Sequence, residues 1–382
     1  MVGAVTAVGD RLARAVAGLR ANGDGALLIG VGADLRYLTG YTAHALERLT
    51  LLVAPVIGPA SLIAPRLEAM AAAASPAARA GLVEVAAWDE TDDPYRLAAR
   101  LVEAGSPAGA RVLVDPGLLA RHVLALQAAL PGRAFGLGTE VTRELRIAKG
   151  ADEIELLRHA AHAADRVVGQ VAAGRLIGRN EADVSREVRE RLIAEGHEAA
   201  SFAIVGSGPN GASPHHEAGE RVIGPGDPIV LDIGGTIGGY GSDITRMLWV
   251  TGGDPAHGPT PEFRAVFDLV HAAHAAASAA VRPGVPAGEL DAVARGVIRD
   301  GGHGDAFIHR LGHGIGLEAH EDPYLVAGNT ELLRPGHAFS IEPGVYLEGR
   351  FGVRIEDIVV CTEDGGDILN QAPRELLVVD GR

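Results

Sequence analysis

Two kinds of apolar pattern alternate along the chain. Short continuous apolar runs bounded by glycine and proline predict buried strands, and longer passages in which apolar positions return every three or four residues predict amphipathic helices. In the first part of the chain residues 10–22 have the helical spacing, while 25–31 and 51–54 are strand-like, the second run stopping at Pro55. Arg111-Val112-Leu113-Val114-Asp115-Pro116 supplies a further strand between alanine-rich helical passages. These elements predict a small α/β domain over residues 1–146. Beyond Arg146 the pattern restarts. Asp152 and Glu153 suit the first turn of a helix, and Ile154, Leu157, Ala161, Ala164 and Val168 carry its apolar stripe. A second α/β domain is therefore predicted over residues 147–382.

The pattern of this second domain occurs twice. A helix over 152–173 and another over 181–195, capped by Asn180, lead into strands at 202–205, 228–233 and 242–250. A helix opening at Pro261 and another over 289–299 then lead into a segment at 307–316 and strands at 338–341 and 352–361. The turns repeat as well. Gly224-Pro225-Gly226-Asp227 precedes Asp232 and Arg334-Pro335-Gly336-His337 precedes Glu342, each acid standing seven residues after its proline. A duplicated fold with pseudo-twofold symmetry would set two acid-bearing hairpins face to face.

Bulk properties narrow the class. A length of 382 residues exceeds the roughly 250–300 at which single cores stop growing, which agrees with two domains. The 49 acidic against 34 basic residues leave a net charge of −15, a field that opposes nucleic acid and anionic membrane. Pro and Gly interrupt every apolar passage before the ~18 residues of a membrane span accumulate, and the N-terminus lacks the order of a secretory signal. A cytoplasmic enzyme is expected. The single cysteine, Cys361, excludes an intrachain disulfide and a thiolate metal cluster, and its apolar neighbours Ile358, Val359 and Val360 place it in the core of a strand. No Gly-x-Ser-x-Gly elbow and no phosphate loop ending in Gly-Lys-Ser/Thr occurs.

The candidate chemistry lies in the acids of the second domain. Asp232 ends the run Ile229-Val230-Leu231, and Asp243 follows the glycine-rich connection Gly234 to Gly241, so the two can meet across an antiparallel pair. Glu342 ends Phe339-Ser340-Ile341, and Glu356 lies in Val353-Arg354-Ile355-Glu356-Asp357-Ile358, which suggests the same geometry with longer side chains. Taken singly, an Asp between a strand and a glycine is commonly a turn residue. Four carboxylates among β-branched neighbours are another matter, because buried carboxylates become neutral or find a cation. With His313 in Gly312-His313-Gly314 they make a set of many oxygens and one nitrogen, suited to Mn²⁺, Co²⁺, Zn²⁺ or Fe²⁺.

At these residues the whole chain resembles the pita-bread metallopeptidases, the family of methionine aminopeptidase, aminopeptidase P, prolidase and the non-metal creatinase. The matching motifs are Leu-Asp-Ile-Gly at Asp232, Ser-Asp-Ile-Thr-Arg at Asp243, Gly-His-Gly-Ile-Gly at His313, Ile-Glu-Pro-Gly-Val-Tyr at Glu342 and Val-Arg-Ile-Glu-Asp at Glu356. The resemblance implies a creatinase-type amino-terminal domain and a pita-bread catalytic domain. It also implies two divalent ions, Mn²⁺ foremost, bridged by Asp243 and Glu356, with Asp232 on one ion and His313 and Glu342 on the other. His215, ahead of its neighbour His216, together with His309 and His320, is similar to the family's substrate-side histidines. Arg354 and Tyr346 are similar to residues that line or brace the proline site, and Glu342 to a proton shuttle. The implied activity is hydrolysis of the bond preceding proline in an Xaa-Pro dipeptide, by a homodimer that needs neither nucleic acid nor membrane. Xaa-Pro aminopeptidase, or hydrolysis of a nonpeptide amide of the ectoine type, is the alternative. A dipeptidase must also hold the substrate's free carboxylate, a task that Arg354 or a histidine could serve.

Overall fold

Strands buried on both faces need apolar side chains at every position, which is why the first unit's strands are continuous runs rather than alternating ones. The computed structural model describes residues 2–382, divided between a unit ending at Arg146 and a unit beginning at Ile147. The first unit is a six-stranded sheet in the order Val83–Trp88, Ala60–Pro65, Leu51–Pro55, Ala26–Ile29, Val112–Val114, Phe135–Leu137. Ala26–Ile29 runs parallel to Val112–Val114 and antiparallel to Leu51–Pro55. Leu28, Val53, Ile63 and Val102 pack in its core. The first helix, Val2–Asn22, is longer than the pattern predicts. The outer strands Val83–Trp88 and Phe135–Leu137 are less buried, and no apolar run announces them.

In the second unit the duplicated order holds. Helices Ala151–Ala172 and Glu181–Ala194 precede a sheet ordered Leu377–Val379, Ile244–Val250, Pro228–Ile237, Ala199–Ser207. Helices Pro261–Ala280 and Ala287–Asp300 precede a sheet ordered Glu321–Leu325, Gly312–Gly314, Ala338–Ile341, Asp357–Cys361, Gly366–Ile368. Each sheet packs its own helix pair. Val167, Val184 and Val188 meet Leu231, Ile233 and Leu248 in one core, and Phe263, Val270 and Leu290 meet Phe339, Val359 and Cys361 in the other.

One predicted strand is corrected. Residues 352–361 are not a single strand: Phe351–Arg354 pairs with Gly344–Leu347 in a hairpin, and Asp357–Cys361 pairs with Ala338–Ile341. The apolar run is continuous in sequence because both pieces are buried, and periodicity cannot show that the chain changes partner between them.

A buried cation joins the two sheets. Arg246, fully buried on Ile244–Val250, donates to Asp357 Oδ1 (2.6 Å), to the carbonyls of Thr245 (2.9 Å) and Glu356 (2.7 Å), and to those of Ala372 and Pro373 (2.8 Å each). Asp357 also meets His274 at 3.0 Å and Arg374. Burial alone would raise the Asp357 pKa, but Arg246 and its other partners hold it down to about 2. Among the described residues, no helix is long and apolar enough to cross a membrane.

Candidate active site

Asp232 stands within Pro228–Ile237, and Asp243 immediately precedes Ile244–Val250. The register pairs Asp232 with Thr245, so Asp243 lies diagonally from Asp232 on the same face, two residues from the direct partner. The second half differs. Its ladder pairs Ile341 with Asp357, and the next step in that register sets Glu342 opposite Glu356, both just past their strand ends. Glu342 donates its backbone N–H to Leu311 (2.9 Å), and Glu356 donates its own to Thr245 (3.2 Å). The second pair of acids is thus hung partly from a loop and partly from the first hairpin.

The segment bearing the histidines is pinned by a helix. Asp291 and Arg295 of Ala287–Asp300 form an ion pair (2.8 Å), Arg295 donates to the carbonyls of Phe307 and His309 (2.8 Å each), and Asp291 accepts from Leu311 N (2.9 Å). Gly312 then passes so close to the neighbouring strand that a Cβ there would lie 1.9 Å from the Ser340 carbonyl. Only glycine permits this approach, and it brings His313 to the carboxylates.

Asp243, His313 and Glu356 are buried and offer donor atoms all within 4.8 Å of one another. His313 Nε2 also lies 3.3 Å from Glu342 Oε1. Its Nδ1 faces the Gly314 carbonyl at 3.1 Å and donates there, so the neutral ring turns the Nε2 lone pair onto carboxylates. Burial, reinforced by His320, lowers the His313 pKa to about 3, and no proton relieves this contact near neutral pH. Asp232 Oδ1 is buried without a hydrogen-bond partner. Burial, then repulsion from neighbouring acids, pushes the Asp243 and Glu356 carboxyls well above the usual range. Burial also lifts Glu342 to about 7, against the opposing charge of Arg354. Facing lone pairs, an orphaned oxygen and acids that cannot ionise together all call for positive charge. The oxygen-rich donors with one imidazole fit divalent cations, and Asp243, His313 and Glu356 together can hold a metal ion.

Two hydroxyls orient these donors. Thr245 Oγ1 donates to Glu356 Oε2 (2.7 Å) and accepts from Arg354 Nε (3.1 Å). Ser340 Oγ donates to Glu342 Oε1 (3.1 Å) and accepts from His313 N (3.0 Å). Neither residue stands out in the sequence. The available signal is a hydroxyl at an inward position of a buried strand.

The remaining predicted residues line or brace a cavity of about 750 Å³ that contains the acids. His215, His309, His320 and Arg354 are on its wall, together with the apolar Phe202, Ile204, Pro214 and Ile308. The His320 ring lies 3.8 Å from that of His313. Tyr346 is behind the wall. Arg354 Nη1 donates to Tyr346 OH (2.8 Å), and His309 Nε2 lies 2.9 Å from the same oxygen. His309 Nδ1 is 2.7 Å from the Arg310 carbonyl and donates to it, so Nε2 accepts the tyrosine proton and both ring nitrogens are engaged. Burial pushes His309 down to about 4 and Tyr346 up to about 12, which keeps both neutral. Arg354 Nη2 reaches Asp232 Oδ2 at 2.5 Å. His216 is drawn away from the cavity to Glu181 (2.7 Å).

One charged wall residue is not anticipated by the sequence pattern. Arg310 lines the cavity with its guanidinium 4.4 Å from the Tyr324 ring centroid and, among the described residues, has no carboxylate partner. It sits between two site histidines, so its own surroundings give no cue.

Comparison with known proteins agrees with this geometry. Residues 155–363 match metallopeptidase family M24, and residues 11–148 match the creatinase/prolidase N-terminal domain. The chain is similar to the probable dipeptidase PepE of Mycobacterium tuberculosis, 46% identical over 370 residues, 97% of this chain and 96% of the relative. It is 33% identical to the Xaa-Pro dipeptidase of Lactobacillus delbrueckii subsp. lactis over 366 residues, 94% of this chain and 96% of the relative. The crystal structure of dipeptidase PepE from Mycobacterium ulcerans superimposes with a TM-score of 0.90 at 45% identity, covering 98% of each chain.

Proposed function

The chain belongs to metallopeptidase family M24, and from that premise we propose that it is a dinuclear, metal-dependent Xaa-Pro dipeptidase. Asp243, His313 and Glu356, with Asp232 and Glu342 beside them, would hold the ions. Mn²⁺ is the physiological metal in this reading, since carboxylate-rich sites suit it. When bound, the ions supply a Lewis-acidic centre that lowers the pKa of a water and polarises the scissile carbonyl.

The chain's own residues do the rest. His320, next to His313, donates towards the oxygen that gains charge as the carbonyl is attacked. Glu342 takes the proton released by the attacking water and delivers it to the prolyl nitrogen as the C–N bond breaks, because that nitrogen carries no hydrogen of its own. Phe202, Ile204, Pro214 and Ile308 form an apolar wall for the proline ring, flanked by His215 and the ring of His309.

The observation that carries the dipeptidase reading is the unpaired Arg310 on the cavity wall. Arg354 is committed to Asp232, Tyr346 and Thr245 and so has little left for a substrate carboxylate. Arg310 is free for one, and a site that ends on a carboxylate excludes longer peptides. Metal-supplemented enzyme should cleave Ala-Pro and leave Ala-Pro-Ala and longer Xaa-Pro peptides intact. Cleavage of all three would instead identify an aminopeptidase, and cleavage of none would reject proline peptides as substrates. Replacing Arg310 by Met should raise KM for Ala-Pro about 30-fold, the equivalent of one charge-assisted hydrogen bond of about 2 kcal/mol.

A further inference from the structure

The loop bearing His215 leaves the end of Ala199–Ser207, makes the turn Gly208–Ala212 and returns to the Asn180–Val222 bridge. An exposed loop of this kind would ordinarily be mobile, yet five of its donor groups end on one carboxylate. Glu181, the first residue of Glu181–Ala194, is fully buried. Its Oε1 accepts from Ser207 N (2.7 Å), Ser207 Oγ (2.6 Å) and Asn210 Nδ2 (3.1 Å). Its Oε2 accepts from Asn210 Nδ2 (3.0 Å), His216 Nε2 (2.7 Å) and Gly219 N (3.3 Å). The start, the turn, the residue after His215 and the return of the loop therefore share one anchor. Burial works against the charge on Glu181, but the bonds from Ser207, His216 and Asn210 outweigh it and hold the group ionised. On the cavity side Arg354 Nη2 reaches the Pro214 carbonyl at 3.3 Å. There the turn packs so closely that a Cβ on Gly352 would lie 1.9 Å from the Gly211 carbonyl.

We propose that Glu181 is a positioning residue for the reaction: through His216, Asn210, Ser207 and Gly219 it holds the loop in the one conformation that presents His215 to the substrate. It touches neither substrate nor metal ligands and acts only through His215, so the inference rests on the substrate-side role proposed above for that histidine. The neighbouring pair His215-His216 divides the work, one ring facing the cavity and the other tying the loop to its anchor.

The test is a double-mutant cycle in the full-length, metal-loaded enzyme with Ala-Pro as substrate, using Glu181→Gln and His215→Asn. Gln keeps the shape but puts an amide NH₂ where only acceptors are useful. The expected result is a loss of about 30-fold in kcat/KM for Glu181→Gln, the scale of a small misplacement of a substrate-contacting group, with metal content unchanged. In the His215→Asn background the same change should cost less than about threefold, because the group it positions is already gone. His216→Ala, which removes one donor and leaves the carboxylate in place, should show a smaller loss with the same dependence on His215. Equal losses in both backgrounds would mean a general structural role and would overturn the inference, leaving the role of His215 intact. Unimpaired activity of His215→Asn alone would overturn the role of His215 and the positioning role with it.

Discussion

In the first acid-bearing hairpin Asp232 and Asp243 stand on or beside strands of ten and seven residues, paired along nearly their whole shared length. In the second, Glu342 and Glu356 stand just outside strands of four and five residues, and the chain between them turns away into a separate hairpin. The duplication repeats the chemistry without repeating the register: Asp232 faces Thr245, whereas the ladder of the second half sets Glu342 opposite Glu356. The second pair of acids carries one more methylene in each side chain. The looser second half is then held by the first, through Glu356 N to the Thr245 carbonyl and through Arg246 to Asp357.

If the two hairpins contribute equally to the metal centre, Asp243→Asn and Glu356→Gln should each lower kcat on the order of 10⁴-fold and reduce bound metal measured by elemental analysis. A large loss for only one of them would break the equivalence. Arg246→Met tests the join. Removing a fully buried guanidinium leaves Asp357 with fewer partners and should destabilise the fold by about 3 kcal/mol, read as a lowered urea midpoint.

The acids should also make the metal-free protein sensitive to pH. Glu342 has a folded pKa raised to about 7 from an ordinary 4.5, so between these values the folded state holds more protons than the unfolded. That contribution is fully present below pH 4.5 and is lost as pH rises through 7, amounting to about 3 kcal/mol. Asp243 and Glu356 act in the same direction. Chelated protein should therefore melt at a lower temperature at pH 7.5 than at pH 5.5, and divalent metal should close the gap. An unchanged melting point would show that the folded acids are not held protonated above their ordinary range. Asp357, held at about 2, behaves oppositely and loses its contribution only as pH falls from 3.8 through 2.

The smallest expected effects sharpen the comparison most. Thr245→Ala should weaken metal affinity by about 100-fold and Ser340→Ala by about 10-fold, the range for residues that orient metal ligands, measured by chelator competition. Thr245 reaches from the first hairpin to two residues of the second half, donating to Glu356 while accepting from Arg354, whereas Ser340 serves only its own strand and the adjacent His313. A reversed order would mean that the second hairpin orients its own ligands.

Much of this arrangement is legible in the residues. The repeated helix–helix–strand order, the matching Pro-Gly turns and the acids at the ends of apolar runs are local patterns, and local patterns survive in sequence. The break at Ile355-Glu356 is not legible, because Val353, Ile355 and Ile358 are apolar whichever partner strand they face. The ranking of His215 over His216 comes from the family resemblance alone, since adjacent identical side chains carry no information about which one a distant carboxylate will claim. Arg310 and Arg354 are both arginines beside site residues, and only their partners distinguish a braced guanidinium from one left open on the cavity wall.

Composition, periodicity and motif therefore determined the fold class, the duplication and the identity of the acids and His313, because each depends on residues near one another in the chain. The tertiary structure decided the diagonal and opposed registers, the hydroxyls that aim the carboxylates, the engagement of Arg354 and His309, and the anchoring of the His215 loop. All of these depend on groups brought together from remote parts of the chain, such as Glu181 with His216 or Thr245 with Glu356, and long-range pairing of that kind leaves no periodic trace in a single sequence.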